Sequence, residues 1–269
     1  MTDVITSKSN EKLKLVRKLH QRRHRDREGL FVTEGEDLLG AGLASGVEPV
    51  VVLTLQGGGL GGEEVSGGVL ASVSTLGSGT RAIAVWRQAW APVSGPVCVY
   101  LHGVSDPGNV GAIVRTVHAL VEGSVVLGPD CADPYSPKAV RATMGSIFAQ
   151  PIARAGIEDT PRRRVALVAH GGKPIEDLAP YWSYTSRKRQ SPETGARSDP
   201  TPEATSLTQP DDAATLVLGS ERSGIPPEVL SLCDHHLTIP LRDDGAESLN
   251  VAAAAAIALQ RISSEAAGG

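Results

Sequence analysis

Aromatic side chains are scarce in this chain, at 3% of its 269 residues. Any core must be filled by aliphatic groups, which a hydrophobic content of 41% supplies. Cysteine is nearly absent. Cys98, Cys131 and Cys233 are the three present, none in CxxC spacing, so neither a disulfide framework nor a cysteine zinc site is indicated. No apolar run reaches the about 18 residues of a membrane span, and the N-terminus shows no signal-peptide pattern. The expected compartment is a reducing cytoplasm, with no membrane partner. The chain also lacks GxxxxGK[ST], HExxH and GxSxG. Gly57, Gly59 and Gly62 do satisfy GxGxxG after a strand-like run, but the GGEEVSGGVLASVS around and after Gly62 is a poor helix start. No Asp or Glu lies near residues 75–85 to meet a ribose. We read a flexible loop there in preference to a dinucleotide site.

What is present begins with unevenly spread charge. The formal net charge is −4, yet residues 8–27 hold nine Lys or Arg against Glu11 and Asp26. A basic patch on an acidic chain fits a polyanion docking at one place, or simply a solvated helix face. Leu13, Val16 and Leu19 stand at helical spacing among those cations, predicting one amphipathic helix across 10–25. Strand patterns follow near Leu30–Val32, in VEPVVVLTLQ and in RAIAVWRQ, with a helix across Glu36–Ala44. WAPVSGP, residues 90–96, reads as a linker, dividing the chain into 1–90 and 91–269. Beyond it, strands and helices alternate regularly, the mark of a largely parallel α/β sheet. Residues 186–213 are rich in Pro, Ser and Thr with almost no large apolar groups, predicting a flexible insertion.

Three later segments fall where an open α/β sheet binds ligands, beyond the carboxyl ends of its strands. In LHGVSDPGNVGAIVRT (101–116), Pro107-Gly108 predicts a turn and Asn109 the cap of the next helix. Gly111 permits close approach of another backbone, and Arg115 stands on that helix, by itself an ordinary surface cation. In LVLGSERSGIPPEVL (216–230), a glycine ends a strand and Glu221 projects into the crevice or merely approaches a helix. In LTIPLRDDGAESLNVAAAAAI (237–257), Ser248 and Asn250 both suit a helix mouth. One cap explains one of them; the other asks for a site.

In order and spacing, these segments resemble the three signature motifs of SpoU-type (TrmH-like) RNA 2′-O-ribose methyltransferases of the SPOUT superfamily. DPGNVGAIVRT resembles the first, LVLGSERSGIP the second and IPL…ESLNVAAAAAI the third, while RATMGSIFAQP (141–151) resembles the element between. Residues 97–263 carry the likeness, and the basic N-terminus looks like the family's RNA-substrate-binding domain. The resemblance implies an α/β catalytic domain whose C-terminal part threads a deep trefoil knot. It implies S-adenosylmethionine held there by backbone around Gly219, Ile239 and Leu249, beside Leu218 and Pro240. It implies a homodimer with the pocket near its interface, and no metal. Arg115, Asn109, Glu221, Ser248 and Asn250 occupy the family's catalytic positions, and Lys8, Lys12, Arg17, Arg22, Arg23 and Arg25 are the expected RNA contacts. The implied activity methylates a ribose 2′-hydroxyl of structured RNA, ribosomal ahead of transfer RNA. The alternative is a non-catalytic RNA-binding protein on the same scaffold. A guanidinium stays protonated, so Arg115 is expected to grip phosphate and stabilise a forming alkoxide instead of taking a proton. His102 stands where the family has an acid, and we read it as a neutral residue at the core's edge. His235 and His236 read as surface residues ahead of a strand.

Overall fold

In the computed structural model, described for residues 4–76, 79–177 and 213–268, the chain builds two β-sheets. The insertion read at 186–213 lies outside these residues except for Ala213.

The basic segment forms two helices where periodicity predicts one: α1 (Glu11–Leu19) and α2 (Arg22–Glu28). Asn10 caps α1, its side chain accepting from the Lys12 N–H at 2.9 Å, and Leu13, Val16 and Leu19 are buried as helical spacing requires. The break falls at Gln21, whose backbone is extended. Arg25 then donates back to the Leu19 carbonyl at 2.7 Å, satisfying an acceptor the helix end leaves open. The first sheet comprises β1 (Leu30–Glu34), β2 (Val51–Leu55), β3 (Glu63–Val65) and β4 (Ala82–Arg87), in the order β1-β4-β2-β3. Helices α3 (Glu36–Ala44) and α4 (Gly67–Ala71) complete this part. Sequence periodicity misses β3 and α4, which are too short for a period to register. The glycine-rich loop joins β2 to β3, and no helix opens at Gly62, so the dinucleotide fingerprint has no structural counterpart.

The second sheet holds β5 (Val97–Leu101), β6 (Val125–Leu127), β7 (Ile152–Arg154), β8 (Arg163–Leu167), β9 (Lys173–Pro174), β10 (Ala214–Leu218) and β11 (His235–Thr238). Its order is β7-β6-β5-β10-β8-β11-β9, and every pairing is parallel. All carboxyl ends therefore open on one edge. The helices of this part are α5 (Pro107–Leu120), α6 (Pro137–Thr143), α7 (Pro227–Leu230) and α8 (Val251–Gly268). His235 and His236 lie within β11, not ahead of it. No helix among the described residues is long and apolar enough to cross a membrane.

Most of the described aromatics concentrate where the two sheets meet. Both phenylalanines are there, with Phe31 4.9 Å from Tyr135 and 5.9 Å from Phe148 between ring centroids. Trp86 meets Phe148 edge-on at 4.7 Å. One hydrophobic core runs through this seam, taking Phe31, Leu38, Leu39 and Trp86 from the first sheet's side and Val99, Val140 and Ile147 from the second's. The segment read as a linker is tied down: the Ala91 N–H donates to the Ile152 carbonyl at 2.8 Å, and the Tyr135 hydroxyl donates to the Ala89 carbonyl at 2.7 Å.

Candidate functional site

The site grows from the mouth of α5. The sequence predicts a turn at Pro107-Gly108 with Asn109 capping the next helix, but in the structure the cap falls three residues earlier, at Asp106, and the helix starts at Pro107. Proline suits a first helical position, where its missing N–H costs nothing. Asp106 is the cap, its Oδ1 accepting from the N–H groups of Gly108 (2.6 Å) and Asn109 (3.2 Å). Its second oxygen accepts from Lys138 Nζ at 2.6 Å. That hydrogen bond, together with the two backbone N–H groups, holds the Asp106 carboxyl below the usual carboxylate range.

Relieved of capping, the Asn109 side chain is free for other partners. Its Nδ2 donates to Glu221 Oε1 at 2.8 Å, and its Oδ1 accepts from Asn250 Nδ2 at 3.0 Å. Residues separated by more than a hundred positions thus meet at one point. Asn250 also caps α8, accepting from the N–H groups of Ala252 (2.9 Å) and Ala253 (3.4 Å). The double polarity of Ser248 and Asn250 resolves here: Asn250 caps and reaches the site with the same amide, while Ser248 lines the cleft beside it.

That cleft, about 290 Å³, opens at the carboxyl ends of β10, β8 and β11. Leu218, Gly219, Ile239 and Leu249 line it with Glu221 and Ser248; Pro240, expected among them, does not. Leu249 is 39% exposed although it is a leucine, which gives the cleft an apolar surface. Gly219 was expected to let a ligand approach the main chain. Its missing Cβ is instead needed by the chain itself, since an added one would fall 2.3 Å from the Gly224 carbonyl carbon. A cleft with apolar walls, main-chain polar groups and the carboxylates of Glu221 and Glu247 suits a flat base joined to a cation. The residues present therefore fit S-adenosylmethionine.

Arg115 stands apart. It is exposed on α5, six residues and about 9 Å of helix beyond Asn109, and is not a lining residue of the cleft. Among the expected RNA contacts, Lys8 and Arg23 are exposed. Lys12 pairs with Glu63, Arg17 donates to the Lys8 carbonyl at 2.9 Å, and Arg22 pairs with Asp26 at 3.5 Å. Arg25 is a correction. It is 3% exposed, with Asp133 at 2.7 Å from Nη2 and 2.8 Å from Nε, so it braces the seam and presents no charge to RNA. His102 is half-buried at the end of β5, its Nδ1 3.5 Å from the Tyr100 hydroxyl. Sequence reasoning missed His170, Arg222 and Glu247 on the cleft, and Asp106 with Lys138 at the start of α5. The Asp-Pro pair was a readable cap signal; Lys138 had none, because its partner is 32 positions away.

Residues 96–260 match the SpoU rRNA methylase family, and residues 10–94 match an MRM3-like substrate binding domain. An uncharacterized tRNA/rRNA methyltransferase of Synechocystis is 29% identical, covering 95% of this chain and 91% of its own. A 23S rRNA guanosine 2′-O-methyltransferase of Bacillus subtilis is 28% identical, covering 94% and 96%. The crystal structure of an AdoMet-bound rRNA methyltransferase from Sinorhizobium meliloti is 27% identical and superposes with a TM-score of 0.75, covering 97% of each chain.

Proposed function

Because this chain belongs to the SpoU rRNA methylase family, we propose that it transfers a methyl group from S-adenosylmethionine to a ribose 2′-hydroxyl of ribosomal RNA. The observation that carries the reading is the Glu221–Asn109–Asn250 chain at the rim of the cleft. When bound, the cofactor supplies a methyl group on a sulfonium. The protein's own work is positioning. Asn109, fixed from both sides, presents its amide to the ribose; Glu221 orients that amide and accepts from sugar hydroxyls; Ser248 shapes the hydroxyl's approach. Arg115, exposed on α5 beyond the cleft lining, grips an RNA phosphate, a role for which a permanently charged guanidinium is suited.

The same reading includes the threaded knot, the division into residues 1–90 and 91–269, and a homodimer. Ile257, exposed on α8, offers apolar surface for a second copy to cover. It also includes RNA contacts at Lys8, Lys12, Arg17, Arg22 and Arg23, without Arg25.

The test is methyl transfer from labelled S-adenosylmethionine to unmodified ribosomal and transfer RNA, with digestion to nucleosides. Label is expected on ribose in ribosomal RNA. Arg115→Ala should lower the rate by about a hundredfold or more while circular dichroism and cofactor affinity stay unchanged. Full activity in that variant would remove Arg115 from the site, and label on a base would overturn the chemistry.

A further inference from the structure

Two cations on α6, Lys138 and Arg141, lie outside the basic N-terminal segment. Arg141 Nη1 donates to Thr75 Oγ1 at 3.1 Å. Three residues earlier, on the same face of α6, Lys138 reaches Asp106. The Lys138 side chain is 59% exposed. Its ammonium lies against the start of α5: a Cβ added at Gly108 would be 3.8 Å from Nζ. The charge is thus one residue from Asn109, whose side chain joins Glu221 and Asn250. Asp106 divides its two oxygens, one capping α5 and the other holding Lys138.

We propose that Lys138 grips the RNA backbone at a phosphate flanking the target ribose, and that Asp106 holds it in place until RNA arrives. The inference rests on the reading above, in which a ribose docks at Asn109. A ribose carries its phosphates within a few bonds of the 2′-oxygen, and a long, exposed lysine beside Gly108 is placed to reach one of them. The positive end of α5 adds to the attraction. An exposed ion pair is weak, so a phosphate displaces the carboxylate readily. Arg141 continues the track toward the first sheet.

The pair can be dissected because its two members should act in opposite directions. Lys138→Gln removes the cation. Asp106→Asn keeps a good cap but releases the lysine. The full-length protein and both variants would be titrated with protein-free 23S ribosomal RNA over a series of KCl concentrations, with cofactor affinity and thermal midpoint recorded alongside. Lys138→Gln should bind more weakly at low salt, with a slope of log K against log salt shallower by about 0.7 to 0.9. Between about 50 and 200 mM salt, it should lose about threefold less affinity than the wild type. Asp106→Asn should bind more tightly at low salt. Cofactor affinity should not change in Lys138→Gln. Wild-type slope and affinity in Lys138→Gln would overturn the proposal, as would both variants binding more weakly with lowered thermal midpoints, the behaviour of a structural pair. Wild-type protein that binds this RNA but methylates no ribosomal RNA would defeat the reading of function, while the Lys138→Gln slope would still decide the RNA contact.

Discussion

Arg25 and Asp133 show how one residue's environment redirects its chemistry. Both are almost fully buried, and Arg25 is further held by the Leu19 carbonyl. A buried charge that loses its partner is destabilising, far more than an exposed pair would be. Asp133→Asn should therefore cost about 3 kcal/mol or more, read as a lower urea midpoint at unchanged slope. Replacing the pair together, Arg25→Met with Asp133→Leu, should recover much of that loss. In the sequence, Arg25 is one cation among nine, with nothing local to set it apart, because its partner lies 108 positions away. The same distance hides the break between α1 and α2. By contrast, Leu13, Val16 and Leu19 were legible, since helical spacing alone sends them to one side.

At the scale of elements, the site depends on how closely helices pack around α5. Gly111 sits where α5 crosses α6, and an added Cβ would fall 2.3 Å from the Ala139 carbonyl oxygen and 2.7 Å from the Ala142 Cβ. A backbone oxygen cannot swing aside as a side chain can. Gly111→Ala should cost about 1 to 3 kcal/mol by overpacking, seen as a lowered thermal midpoint. Because Asn109 is two residues away and its amide holds Glu221 of the cleft lining, cofactor affinity measured by calorimetry should fall in the same variant. The sequence showed Gly111 as a place of close approach, and the structure supplies the neighbour. The parallel strands were readable for a related reason: both faces of β5 and β10 are covered, so their apolar runs are nearly continuous. The mouth of α5 was harder to read. Asp106 and Asn109 both suit capping, and only the Glu221 and Asn250 side chains decide that Asn109 is used elsewhere.

At the scale of the whole molecule, the seam matters most. A single core passes through it, and most of the described aromatic rings lie there. Neither sheet can unfold without exposing Trp86, Phe31 or Phe148 to water, so the two should lose structure together. Differential scanning calorimetry should give one transition, with near-ultraviolet dichroism and far-ultraviolet dichroism following one curve. Two separated transitions would mean that the seam is weaker than its packing indicates. Such coupling would also keep the basic helices at a fixed angle to the cleft, with no hinge to adjust when RNA docks.

The place of β10 has a consequence for how the chain comes into being. It lies between β5 and β8, yet about 110 residues separate Leu101 from Ala214. While a ribosome is still making that stretch, neither β5 nor β8 yet has the strand that pairs with both. At typical rates of synthesis this interval lasts on the order of ten seconds. The strand that joins the two is the one that carries Gly219 and Glu221 at its end. Through that interval the newborn chain keeps apolar strand edges open, and it gains its cleft only once β10, β11 and the mouth of α8 have emerged.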